Sequence, residues 1–174
     1  SGVALALWAA APALAALAAP IGLVLIGAGV LNAIRLSRWT PHRTFSEPLV
    51  AVLHVAYAFL PLGFGLAGLA LLTPGDPGLA TAAIHAFTTG AIGLMTLAVM
   101  TRATRGHSGR PLTAPAGTLA IYVLIVLAAA ARIAAALAPG HTMLLMPVSG
   151  LAWVAAFLGF AVLYGPMLLR RRQG

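Results

Sequence analysis

The stretch HAFTTGAIGLMTLAVMTRATRGHSGR, residues 85–110, joins an apolar, glycine-bearing run to a turn carrying Arg102, Arg105, His107 and Arg110. An apolar run of this length closed by arginines is how a membrane helix meets the interface on its positively charged side. Hydrocarbon offers an imidazole no water, so His85 inside the run needs an assigned partner. This pattern belongs to a helix bundle in a bilayer and not to a soluble core.

The rest of the composition agrees. Of 174 residues, 61% are hydrophobic and only 7% charged, with a mean hydropathy of +1.03; a soluble domain carries about 25% charged residues. Glu47 and Asp76 are the only acids, against ten arginines and no lysine, for a net charge of +8. The arginines cluster at the ends of apolar runs without aromatic interleaving, which fits membrane orientation and argues against nucleic acid as a partner. Cysteine is absent, which excludes disulfides, thiolate zinc sites, iron–sulfur clusters and haem attached through C-x-x-C-H. A metal would have to use histidine, methionine, carboxylate, tyrosine or a partner chain. The opening residues SGVALALW lack a basic n-region and read as a mature or cut terminus, not a signal peptide.

A spanning helix needs about 20 mostly apolar residues. Runs at residues 20–36, 48–72, 79–103, 114–137 and 143–169 qualify, and an alanine-rich stretch at 3–18, interrupted by Pro12, makes a sixth. The expected fold is all-α: a polytopic membrane protein, one domain over residues 1–174, an antiparallel bundle of about six transmembrane helices. Alternate connections carry the arginines: Arg35, Arg38 and Arg43, then Arg102, Arg105 and Arg110, then Arg170, Arg171 and Arg172. The positive-inside rule puts these segments, and the C-terminus, in the cytoplasm. Pro61, followed by Gly63, Gly65 and Gly68, predicts a kink and close packing. Gly22, Gly29, Gly90 and Gly93 are further candidates for helix contacts.

At about 1.5 Å rise per residue, His54 lies roughly 10 Å from the cytoplasmic end of its helix and His85 roughly 10 Å from the outer end of the next. Two separate positions are therefore expected, in preference to one iron held between them. Arg132 lies at the level of His85, where it can meet an anion such as a haem propionate or snorkel to the interface. A packing role for His85 would instead bond it to a carbonyl or to Thr89. HTMLLM places His141, Met143 and Met146 at the outer boundary; imidazole with thioether suits Cu(I), although methionine also fills packing gaps. Thr89 and Thr96 share the histidine face at helical spacing, and His54 has Asn32, Tyr57 or His107 within reach. His107 and His42 read as loop residues.

The segment PLVAVLHVAYAFLPLG at residues 48–63, the 85–110 segment, and SGLAWVAAF and YGP near the C-terminus together resemble the NnrS family. The similarity runs from Arg35 onward. NnrS proteins are bacterial inner-membrane proteins containing haem and copper, linked to denitrification and nitric-oxide stress. The resemblance implies haem b, and copper, as cofactors, with His54, His85 and His107 matching the family's histidines and Arg110 closing the motif. It does not assign which histidine holds iron. Its usual members have about twelve spanning helices in two related halves, and this chain resembles the C-terminal half. A homo-oligomer or a second membrane subunit would then supply the missing half.

The primary reading is a haem- and metal-binding membrane protein that binds nitric oxide or transfers electrons, with His85, then His54 and His107, as ligands and Arg132 beside the cofactor. The alternative is a transporter or channel half for metal ions or small anions, supported by Pro61 and the intramembrane Arg132. A third is a structural subunit docked on a haem partner. No paired-carboxylate site, activated nucleophile or phosphate-binding loop points to catalysis by side chains.

Overall fold

The computed structural model describes residues 1–11, 16–44 and 46–169. It is helical throughout: α1 (Gly2–Ala10), α2 (Ala18–Arg38), α3 (Pro48–Leu72), α4 (Pro77–His107), α5 (Ala116–Leu137) and α6 (Thr142–Leu169). Five of these, α2 to α6, are long and apolar enough to cross a membrane, so the chain is a multi-pass membrane protein. The expected first span at 3–18 is represented by α1; its residues 12–15, with Pro12, lie outside the described residues, as do Arg170, Arg171 and Arg172.

Helix starts follow ordinary capping chemistry. Proline opens α3 and α4, where its missing N–H costs nothing. Asp76 caps α4 by accepting from the Gly78 N–H at 2.9 Å. A 3₁₀ turn, Pro41–Thr44, links α2 to α3. The spans are a few residues longer than expected at several ends because the last turns are built from interfacial residues such as Arg38 and His107. His107 is thus the last residue of α4, not a loop residue.

In the bundle α4 is central, packed on α3 and α5, while α2 lies on α3 and α6 on α5. Two hydrophobic cores are stacked along its length. One, toward the arginine-free turns, gathers Ile21, Leu25, Phe64, Ala82, Ala86, Phe87 and Ile133. The other, toward the arginine-bearing turns, gathers Leu49, Val52, Leu94, Leu97, Ile121, Ile125, Phe160 and Tyr164. α2 and α3 approach closely: a Cβ at Gly68 would lie 2.6 Å from the Gly22 carbonyl oxygen, a separation that only glycine permits. α3 runs unbroken through Pro61, whose carbonyl faces Gly29.

The central helix is not uniform. Residues Ala86–Gly93 form a π-helix. Within it the Thr88 hydroxyl donates back to the Ile84 carbonyl at 2.8 Å, the kind of bond that competes with the helix ladder. The extra residue per turn breaks the 3.6 spacing behind the expected threonine stripe: Thr89 is half-buried, but Thr96 faces outward.

α1 runs beside α2 from the arginine-bearing end. The Asn32 side chain donates to Ser1 Oγ at 3.2 Å, and Trp8, two turns on, meets the Phe87 ring. Ser1 is therefore at the same end of the bundle as Arg35 and Arg38.

Candidate functional site

The π-helix begins directly after His85. Such segments recur at functional sites because they re-aim the residues beside them. His85 lies about 12 Å along α4 from Pro77, and Arg132 about 8 Å from the end of α5, so both sit below the arginine-free turns. Their side chains meet: Arg132 Nε donates to His85 Nε2 at 3.1 Å. A second guanidinium nitrogen, Nη1, points at Met146 Sδ on α6.

Arginine has no acceptor, so this contact fixes the chemistry of the ring. His85 Nε2 must carry a lone pair, the neutral imidazole holding its proton on Nδ1. Imidazole nitrogen and thioether sulfur therefore converge on one cation from two different helices. Among the described residues Arg132 makes no hydrogen bond to a carbonyl of its helix, and His85 none to Thr89. Of the methionine–histidine group expected at the outer boundary only Met146 meets Arg132; His141 is exposed and Met143 is 90% exposed.

His54 sits at the other end of the bundle. Thr44 Oγ1 lies 3.3 Å from His54 Nδ1 and 2.7 Å from the Pro41 carbonyl. A hydroxyl has one proton, which the carbonyl takes, so toward the ring Thr44 accepts and His54 donates through Nδ1. The neutral ring then keeps an unprotonated Nε2, with its orientation held by a hydrogen bond as ligating histidines require. Trp39 packs edge-on, 6.2 Å from His54 and 4.8 Å from Tyr57 between ring centroids, and the Arg35 guanidinium lies over the Trp39 ring at 5.3 Å. Asn32, expected beside His54, instead accepts from the Tyr57 hydroxyl at 2.7 Å. His107 is exposed at the end of α4, where it lines a groove with Leu53 and Arg102.

His85 thus lies toward one end of the bundle, and His54 and His107 lie toward the other. Among the described residues, no group of three histidine, aspartate or glutamate side chains is placed to hold a metal ion. Each position offers one or two donors and would need the remaining ligands from a cofactor or another chain.

The NnrS family model, described as NnrS protein, matches residues 1–172. The chain belongs to the NnrS family. The match extends the resemblance upstream of Arg35 to the start of the chain, so α1 and α2 are part of the NnrS pattern. No curated protein and no solved structure matches it.

Several site residues escaped the sequence reading. Thr44 and Trp39 lie in a connection whose only visible signal was charge. Arg105, counted there as one of three interfacial arginines, is buried: its Nε donates to the Pro111 carbonyl at 2.9 Å and a terminal nitrogen lies 3.4 Å from Thr113 Oγ1. Tyr122 bonds Thr101, and Tyr164 bonds Thr118 at 2.6 Å, tying α4 to α5 and α5 to α6 in the interior. The pairing of an intramembrane tyrosine with a threonine of equal depth was the signal available for these.

Proposed function

We propose that this chain is a haem- or copper-binding membrane protein of the nitric-oxide response, with His85 as its principal ligand. The observation that carries the reading is the convergence of His85 Nε2 and Met146 Sδ on the Arg132 guanidinium. An imidazole nitrogen and a soft thioether aimed at one cation in an apolar setting are a donor set that suits haem iron or Cu(I). Membership of the NnrS family supports the same direction, since its members are nitric-oxide-related haem and metal proteins.

The donor chemistry fits the group. His85 would hold the metal through Nε2, and Met146 is positioned as its soft companion. Arg132, displaced from the lone pairs, would be free to neutralise a haem propionate. Bound haem iron supplies a centre that takes nitric oxide or passes single electrons. The protein's own contribution is to fix the imidazole tautomer and keep bulk water from the ring. His54, with Nδ1 engaged and Nε2 free, is a second, separate imidazole position.

The His85 site is open to one side. Ile84, Met143 and Leu144 are exposed around it, and Met146 is 40% exposed. With one imidazole and one thioether in place, a second copy of the chain, or a second membrane subunit, would supply the ligands that this chain does not bring together.

The test is optical and EPR spectroscopy with metal analysis on chain purified from cells supplied with haem. The expected wild-type sample has a Soret band that shifts on addition of nitric oxide. His85→Ala should abolish that band or lose the bound copper. Met146→Leu should retain metal with a changed spectrum, because one of two donors is lost. Wild-type protein free of haem and copper, or a His85→Ala spectrum identical to wild type, overturns the assignment.

A further inference from the structure

At the arginine-bearing end, far from His85, an open groove of 320 Å³ is lined by Leu53 of α3, by Val99, Arg102, Ala103, Gly106 and His107 of α4, and by Leu112. Its lining is aliphatic apart from Arg102 and His107, which follow the apolar run of α4. Arg105 explains the shape. By donating to the Pro111 carbonyl it pins the connection after α4, which holds Leu112 over Gly106 as the far wall.

Arg102 differs from its neighbour. Arg105 is satisfied by Pro111 and Thr113, whereas no hydrogen bond from Arg102 to another described residue is present. Among the described residues no ion pair joins it to either acid: Asp76 caps the opposite end of α4, and Glu47, exposed at the start of α3, makes no contact with it. A cation in the lining of an apolar groove, at the level where a membrane helix ends, is complementary to an amphiphile with an anionic head and a hydrocarbon tail.

We infer that this groove is a binding site for an anionic phospholipid, its phosphate on Arg102 and His107 and its acyl chain along Leu53, Val99 and Leu112. The site is independent of any cofactor at His85, which lies about 25 Å from Arg102 along α4 at an α-helical rise. Arg102 carries the selectivity and the groove carries the affinity.

Native mass spectrometry of the full chain, titrated with phosphatidylglycerol or phosphatidylcholine, tests this. Wild type should retain phosphatidylglycerol in preference to phosphatidylcholine. Arg102→Gln should weaken that retention about fivefold, the effect of one arginine at an anionic surface, and Arg102→Lys should restore most of it. Arg38→Gln, which removes an exposed charge at the same end outside the groove, should leave retention unchanged. Ala103→Trp, which fills the groove and keeps the charge, should lose it. Equal retention of the two lipids, or Arg38→Gln matching Arg102→Gln, overturns the site in favour of diffuse surface charge. Undiminished retention in Arg102→Gln overturns it as well.

Discussion

Arg105 is a buried arginine served by a carbonyl and a hydroxyl, with no carboxylate partner among the described residues. The positive-inside rule treats Arg105 and Arg102 alike, because both follow an apolar run. The fold separates them: Arg105 turns inward and is satisfied by a carbonyl and a hydroxyl, while Arg102 faces the groove. Hydrogen bonds from a charged donor contribute about 1.5–3 kcal/mol, more than neutral ones. Arg105→Gln is therefore expected to destabilise the chain by about that amount. Thermal unfolding in detergent measures it, and an unchanged midpoint would mean that the connection holds without its guanidinium. His85 and Arg132 were legible because an ionisable group in a span needs a partner and the two share a depth. Met146 was legible only as part of a group with His141 and Met143; its meeting with Arg132 was not, since only the placement of α6 brings its sulfur there.

At the scale of elements, every long span was visible as an apolar run, and the ends were displaced by interfacial residues that belong to last turns. The π-helix of α4 was invisible. The Thr88 hydroxyl bonded back to Ile84 and the packing of Gly90 on Phe59 accompany it, and neither alters hydrophobic periodicity enough to register. The expected continuity from Thr89 to Thr96 failed for that reason. The α2–α3 crossing was anticipated from small residues, and it rests on Gly22 against Gly68. Gly68→Ala places a methyl 2.6 Å from a backbone oxygen that cannot rotate away. Overpacking of this kind costs roughly 1–3 kcal/mol, to be read as a lowered unfolding temperature. Gly65→Ala, which meets nothing within 4 Å, is the control expected to show little change.

For the whole molecule, charge placement is the main statement about orientation. Asp76 and its neighbours occupy one end, and the described arginines other than Arg132 occupy the other, where Ser1 also lies. Because the chain contains no cysteine, single cysteines report sidedness without background. With a membrane-impermeant maleimide on intact spheroplasts, Gly75→Cys should label at once, and His42→Cys only after the membrane is permeabilised. Labelling in the reverse order would invert the topology. Composition made the bilayer and the bundle legible. It could not say which surface of the bundle closes the His85 pocket, because lipid-facing and subunit-facing residues are equally apolar.

The widened turn after His85 also gives the central helix slack. Removing one residue from an ordinary α-helix rotates everything beyond it by about 100°, which in α4 would swing Thr101 off Tyr122 and Arg105 off its carbonyl. Between Ala86 and Gly93 the helix already carries a spare residue. A one-codon deletion there can be absorbed by tightening the winding, leaving both ends of the helix facing the partners they have now.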